Sequence, residues 1–263
     1  MTSGSVPPAL IELRDNACRL SADRWLKSLD DARAFLDDRR MLSITPSCWL
    51  PSIFGACPPN PNPGARGFGA MPVHRWWWPG ALSELPGVQR TKLLRGKVLL
   101  MTDDLFAAIA PLCATELARA EEGAYGPDGQ QLVAYLDQQG PSILGQARDA
   151  LGFPARTMAR VRQQLEAVGA VISADVELAA ANGGHVHTSR LARLDQSPDL
   201  LNRSGDRERA HRQLIVAGVS AAFVAPTDDV ERWFAWPAHE VIAELVDAGT
   251  LMTPARGWLA VFG

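Results

Sequence analysis

The sequence predicts an α+β fold, mainly helical with small β ribbons, and three observations carry that expectation. Apolar residues recur at steps of three and four along much of the chain. Breaks such as Gly140-Pro141 and Gly152-Phe153-Pro154 cut these periods into helices of ordinary length. Strand-like alternation is confined to short runs, the clearest at 175–178 and 185–188 on either side of Asn182-Gly183-Gly184.

Taken in order, residues 1–19 are expected to be a flexible tail, since 1–9 are small, polar and Pro-containing and lack the apolar stretch of a signal peptide. A helical pattern spans 20–42, with Trp25, Leu26, Leu29, Ala32, Phe35 and Leu36 on its apolar side and Ser21 as its expected N-cap. Residues 41–54 are apolar but broken by Pro46 and Pro51, which predicts short strand and helix pieces. The Pro- and Gly-rich residues 57–72 predict a long loop. Then come His74-Arg75-Trp76-Trp77-Trp78, a short helix near 81–85, and four cations within eight residues: Arg90, Lys92, Arg95 and Lys97. A buried strand at 98–100 leads into a helix expected at 102–110.

The densest signal lies in 128–194. Leu132, Val133 and Leu136 make one apolar face, stopped by Gly140-Pro141. Ser142 is the expected cap of the next helix, which buries Ile143 or Leu144 with Ala147 and Leu151. In a third helix Met158, Val161, Leu165 and Val168 face the core, leaving Arg156, Arg160 and Gln163 on another face. Three helices followed by a two-stranded ribbon is the order of a winged helix. Its third helix would offer Arg and Gln to a DNA major groove, although the same residues also suit an ordinary solvated face. A looser repeat follows, with helices at 208–219, 227–236 (capped by Thr227) and 237–248 (opened by Pro237) and a terminal ribbon at 251–262. Its last helix exposes Glu240, Glu244 and Asp247, a face that would repel phosphate. The predicted organisation is thus an N-terminal winged-helix-like region at 20–120 that holds the Trp-rich and basic segment, a central winged helix at 121–200 and a C-terminal one at 206–263.

The formal net charge is −3. Residues 1–115 hold 13 Lys/Arg against 10 Asp/Glu, residues 116–205 hold 8 against 11, and residues 206–263 hold 5 against 8. The basic surplus therefore lies in the first segment, which weakens a nucleic-acid reading without removing it, because a local patch suffices. No apolar run reaches membrane-spanning length. The four scattered cysteines lack metal-type spacing and read as reduced cytoplasmic thiols, and a monomer is expected.

Three consecutive tryptophans cannot all enter one core, so at least one of Trp76, Trp77 and Trp78 should line a surface or cavity. Beside the four cations they would stack bases or an aromatic ligand. His185-x-His187 places two imidazoles on one strand face, half of a metal site with no third ligand in view, and no metal is expected. Phosphate-cradling, dinucleotide and nucleophile-elbow motifs are missing from the sequence, so no cofactor is expected either.

Trp76-x-Trp78 with Leu82 and Leu85, then Lys92-Leu93-Leu94-Arg95-Gly96-Lys97, the helix-Gly-Pro-Ser-helix run over 136–147 and the downstream ribbon together resemble a short branch of the AlkZ/YcaQ-type winged-helix proteins. The better-known members are DNA glycosylases that remove alkylated or crosslinked bases. The resemblance covers most of residues 20–260 and implies tandem winged helices around a central cleft, acting on duplex DNA. Those glycosylases carry a Gln-x-Gln or Gln-x-Asp pair in an apolar N-terminal segment, where it positions water. The comparable segment here reads Met41-Leu42-Ser43-Ile44-Thr45. Ser and Thr polarise water poorly and do little for an oxocarbenium-like state, so weak or lost base excision is expected.

Two functions follow as expectations. One is a DNA-binding protein on a glycosylase-like scaffold. The alternative turns that scaffold to a small aromatic or anionic ligand, as a binding protein or a biosynthetic or resistance enzyme. In it Trp76–Trp78 line a cleft, Arg75 or Arg95 holds an anion, and His74 moves a proton near neutral pH.

Overall fold

A computed structural model describes residues 6–59, 77–179, 184–196 and 205–261. They form an α+β protein in which helices predominate and the sheets are small and antiparallel. The order is α1 (Pro8–Ala17), α2 (Leu29–Arg39), β1 (Met41–Ser43), α3 (Trp78–Ser83), β2 (Val88–Leu94), β3 (Lys97–Thr102), α4 (Asp103–Glu121) and α5 (Gly126–Gln139). It continues with β4 (Ser142–Ile143), α6 (Leu144–Leu151), α7 (Ala155–Ala167), β5 (Val171–Ala179), β6 (His185–Arg193), α8 (Arg207–Ala222), β7 (Val224–Pro226), α9 (Thr227–Val230), α10 (His239–Asp247) and β8 (Trp258–Ala260). By contact the chain divides into two compact units. The first draws on residues within 1–89, 98–106 and 211–263, the second on 90–97 and 107–210.

In the first unit, the stretch expected to be a tail is helical over α1. Val6 before it packs with Val224 and Ala260, and Cys18 after it is buried with its thiol 3.8 Å from the Ala221 and Ala222 carbonyls. The helix expected from 20 to 42 is shorter, and its cap is Ser28 rather than Ser21. Ser28 Oγ accepts from the Asp31 amide while the Asp31 carboxylate accepts from the Ser28 amide, a reciprocal capping box. Arg40 in the left-handed conformation ends the helix, and Met41 begins a strand. Beneath α2 lies a core of Leu26, Phe35, Leu36, Leu42, Ile53, Trp78, Leu82 and Leu100. Strand β1 pairs with β3 in register Met41↔Met101, Leu42↔Leu100, Ser43↔Leu99.

The helix expected over 227–236 is only the single turn α9, and its N-cap is Pro226 rather than Thr227. Trp233, Phe234 and Trp236 are all buried on the irregular stretch 231–238, although their spacing would also fit one face of a helix. Asp229 serves this arrangement by accepting from the Trp233 indole N–H and the Trp49 amide, each at 2.8 Å. Pro237 stands ahead of α10, which starts two residues later. The terminal ribbon reduces to one bridge, Met252↔Ala260, because β8 pairs mainly with β7.

The second unit follows the sequence expectation closely. Leu132, Val133 and Leu136 of α5 and Met158, Val161, Leu165 and Val168 in and just after α7 are all buried. Helix α6 is not capped by Ser142, whose hydroxyl donates to the Gly140 carbonyl; the N-cap is Ile143. Of its expected apolar face only Ala147 is fully buried. Strands β5 and β6 run well beyond the short alternating runs, paired from Val171↔Arg193 to Ala179↔His185. Strand β4 pairs with β6 (Ser142↔Leu191), giving the sheet order β4-β6-β5. Residues 180–183, and with them most of the Gly-rich tip, lie outside the described residues.

Candidate nucleic-acid interface

The second unit assembles the basic side chains singled out from the sequence. On α7, Arg156, Arg160 and Gln163 are exposed at steps of four and three, opposite the buried Met158, Val161 and Leu165. Arg156 projects from the first turn. Arg160 forms a 2.7 Å ion pair with Asp128 at the start of α5.

The four cations of residues 90–97 divide in two. Arg90 and Lys92 point inward and are engaged. Arg90 donates to Asp175 Oδ2 (2.7 Å) and to the Ser173 carbonyl (3.1 Å), tying β2 to β5. Lys92 Nζ lies 2.8 Å from Glu166 Oε1, and that carboxylate, only 3% exposed, also faces Arg162 Nε at 3.7 Å. Arg95 is the first residue of the two-residue turn between β2 and β3, Lys97 is the first residue of β3, and both are exposed. Arg95 (φ 47°) and Gly96 (φ 83°) both occupy the left-handed region that the tightest hairpin turns require. Gly96 lies against Gln163, since a Cβ there would stand 3.1 Å from the Gln163 side chain.

The aromatic cluster is split. Trp77 is 52% exposed, as expected of at least one member, whereas Trp78 is 4% exposed and fills the core of the first unit. The two rings meet edge to face at 6.4 Å. His74, Arg75 and Trp76 lie outside the described residues. Ser43 is buried, and its hydroxyl donates toward the Thr45 (3.1 Å) and Pro51 (3.2 Å) carbonyls. His185 faces Glu177 at 3.4 Å, and among the described residues no group of three His, Cys, Asp or Glu is placed to hold a metal ion. An open groove of about 500 Å³ in the first unit is lined by Glu12, Asp15 and Asp23 with Pro8, Ile11, Asn16 and Ser21. Its acidic wall does not suit an anionic ligand. Among the described residues no helix is long and apolar enough to cross a membrane.

Several structural charges escaped the sequence reading. Arg193 is buried against Asp195 (2.7 Å), Glu121 (2.6 Å) and Asp137 (3.0 Å), and the hydrogen bonds it donates to Asp195 raise its already high pKa. Glu116 is fully buried and accepts from Tyr125 Oη (2.6 Å) and Arg119 (2.8 Å); burial, then the carboxylate itself, pushes the phenol's pKa up. Glu166, four residues after Arg162, and Glu116, three residues before Arg119, carried a local signal, each pair lying on one helix.

The site is therefore a basic face on a small helical unit with an antiparallel ribbon. No family model, no curated protein and no solved structure matches this chain.

Proposed function

We propose that this chain is a DNA-binding protein on a tandem winged-helix scaffold of the glycosylase-like kind, with weak or lost base excision. The supporting observation is α7, which buries Met158, Val161 and Leu165 and turns Arg156 and Arg160 to solvent. In this reading α5, β4, α6, α7, β5 and β6 are one winged helix, with α7 offered to the major groove and the β5–β6 ribbon as its wing. Residues 207–260 supply a second module of helix, strand, two helices and strand. Its α10 turns Glu240, Glu244 and Asp247 outward, and that acidic face serves structure or protein contact rather than phosphate. The buried Ser43 hydroxyl, engaged by two carbonyls, supports the absence of glycosidic hydrolysis at that segment.

Fluorescence anisotropy with a labelled duplex tests the reading. Binding should weaken steeply between about 50 and 200 mM salt, because released counterions drive it. The double variant Arg156→Ala, Arg160→Ala should lose most of the affinity. If the wild-type protein shows no binding at about 50 mM salt, where non-specific contacts still register, the proposal is wrong.

A further inference from the structure

Resting on that reading, we propose that the β2–β3 turn, Arg95-Gly96-Lys97, is a second phosphate-binding element, locked onto α7 so that helix and turn contact one duplex together. Three ties hold residues 90–97 to the rest of the second unit. Arg90 joins β2 to β5 through Asp175 and the Ser173 carbonyl. Lys92 joins it to α7 through the buried carboxylate of Glu166. Gly96 seats the turn against the Gln163 side chain. A buried, charge-assisted contact fixes direction as well as distance, so the turn is registered on the helix rather than swinging beside it.

The consequence is a concentration of charge that the chain's net charge of −3 conceals. Residues 90–97 and α7 together carry seven Lys and Arg side chains; Arg90, Lys92 and Arg160 stand against Asp175, Glu166 and Asp128, and Arg95, Lys97 and Arg156 are exposed on the same unit. Gln163 lies seven residues beyond Arg156, so at 1.5 Å per residue the turn sits about 10 Å along the helix from that arginine. This separation is of the order of the width of a major groove, so one cation can meet a phosphate at each edge. Arg95 occupies a left-handed conformation that the two-residue turn requires, which holds its backbone in one fixed geometry. Gln163, packed on the turn, is then a positioning residue and reads no base.

The distinguishing variant is Arg95→Asn with Lys97→Gln, since Asn tolerates the left-handed conformation and Lys97 is exposed. Affinity would be measured by anisotropy over a salt series on two duplexes of unrelated sequence, beside the wild type and the Arg156→Ala, Arg160→Ala variant, with thermal unfolding confirming that each folds. Each lost phosphate contact should lower affinity about eightfold at 100 mM salt and reduce the log–log salt slope by about 0.9. The tip variant, losing up to two contacts, should fall by up to about 60-fold in affinity and about 1.8 in slope, equally on both duplexes. If the wild type binds and the α7 variant weakens while the tip variant keeps wild-type affinity and slope, this inference fails and the α7 reading stands. A sequence-dependent loss in the tip variant overturns the phosphate role. A wild type that binds no duplex overturns both.

Discussion

Single residues in this protein are governed by which charge stands next to them. His239 is fully solvent-facing, yet its Nδ1 lies 2.7 Å from Glu231 Oε1, and that hydrogen bond raises its pKa above 6.5. A raised folded-state value means that the pair's contribution to stability is fully present below the unfolded imidazole value. It is lost as pH rises through the higher folded value. An NMR titration should therefore place His239 above an ordinary histidine, and Glu231→Gln should bring it back; a wild-type midpoint at the ordinary value would discredit the pair. The buried thiols obey the opposite influence. Burial disfavours the thiolate and pushes Cys18 to about 11 and Cys113 to about 12, which makes both poor nucleophiles. None of these pairings has a sequence signature, because His239 and Glu231 lie eight residues apart across an irregular turn.

At the scale of elements, the decisive contact is between β2 and α7. Glu166 is 3% exposed, and its partner Lys92 is mostly covered, so removing the carboxylate strands an ammonium in a poorly solvated place. Breaking such a pair from one side costs about 3 kcal/mol, whereas replacing both partners by apolar groups is often neutral. Glu166→Gln should accordingly lower the urea midpoint clearly, and Lys92→Met with Glu166→Leu should recover most of the loss. Equal stability of the single variant and the wild type would mean that this pair does not anchor the hairpin. Elements whose apolar faces repeat at helical spacing, α5 and α7, were legible to within a few residues. The stretch after α9 was not. Helical structure stops at Val230 and 231–237 run irregularly with Trp233, Phe234 and Trp236 buried, although the apolar spacing there fits a helix.

The whole molecule is assembled out of chain order. The first unit joins N-terminal residues to 211–263, with Trp49 packed edge to face on Trp258 at 5.0 Å and its amide bonded to Asp229. A fragment of residues 1–120 should therefore fail to show a cooperative thermal transition by circular dichroism. A sharp melt from that fragment would show that the C-terminal residues are dispensable to it. By itself the sequence determined the helical and ribbon periods, the α+β class and the basic character of 90–97 and α7, since these follow from spacing and composition within short windows. Only the tertiary structure decided that Arg90 and Lys92 are consumed by internal pairs while Arg95 and Lys97 stay exposed, that Trp78 is core and Trp77 surface, and that the β2–β3 turn rests on Gln163. Those outcomes depend on which distant carboxylates and apolar faces arrive beside each residue, and that is settled by long-range packing rather than by any local pattern.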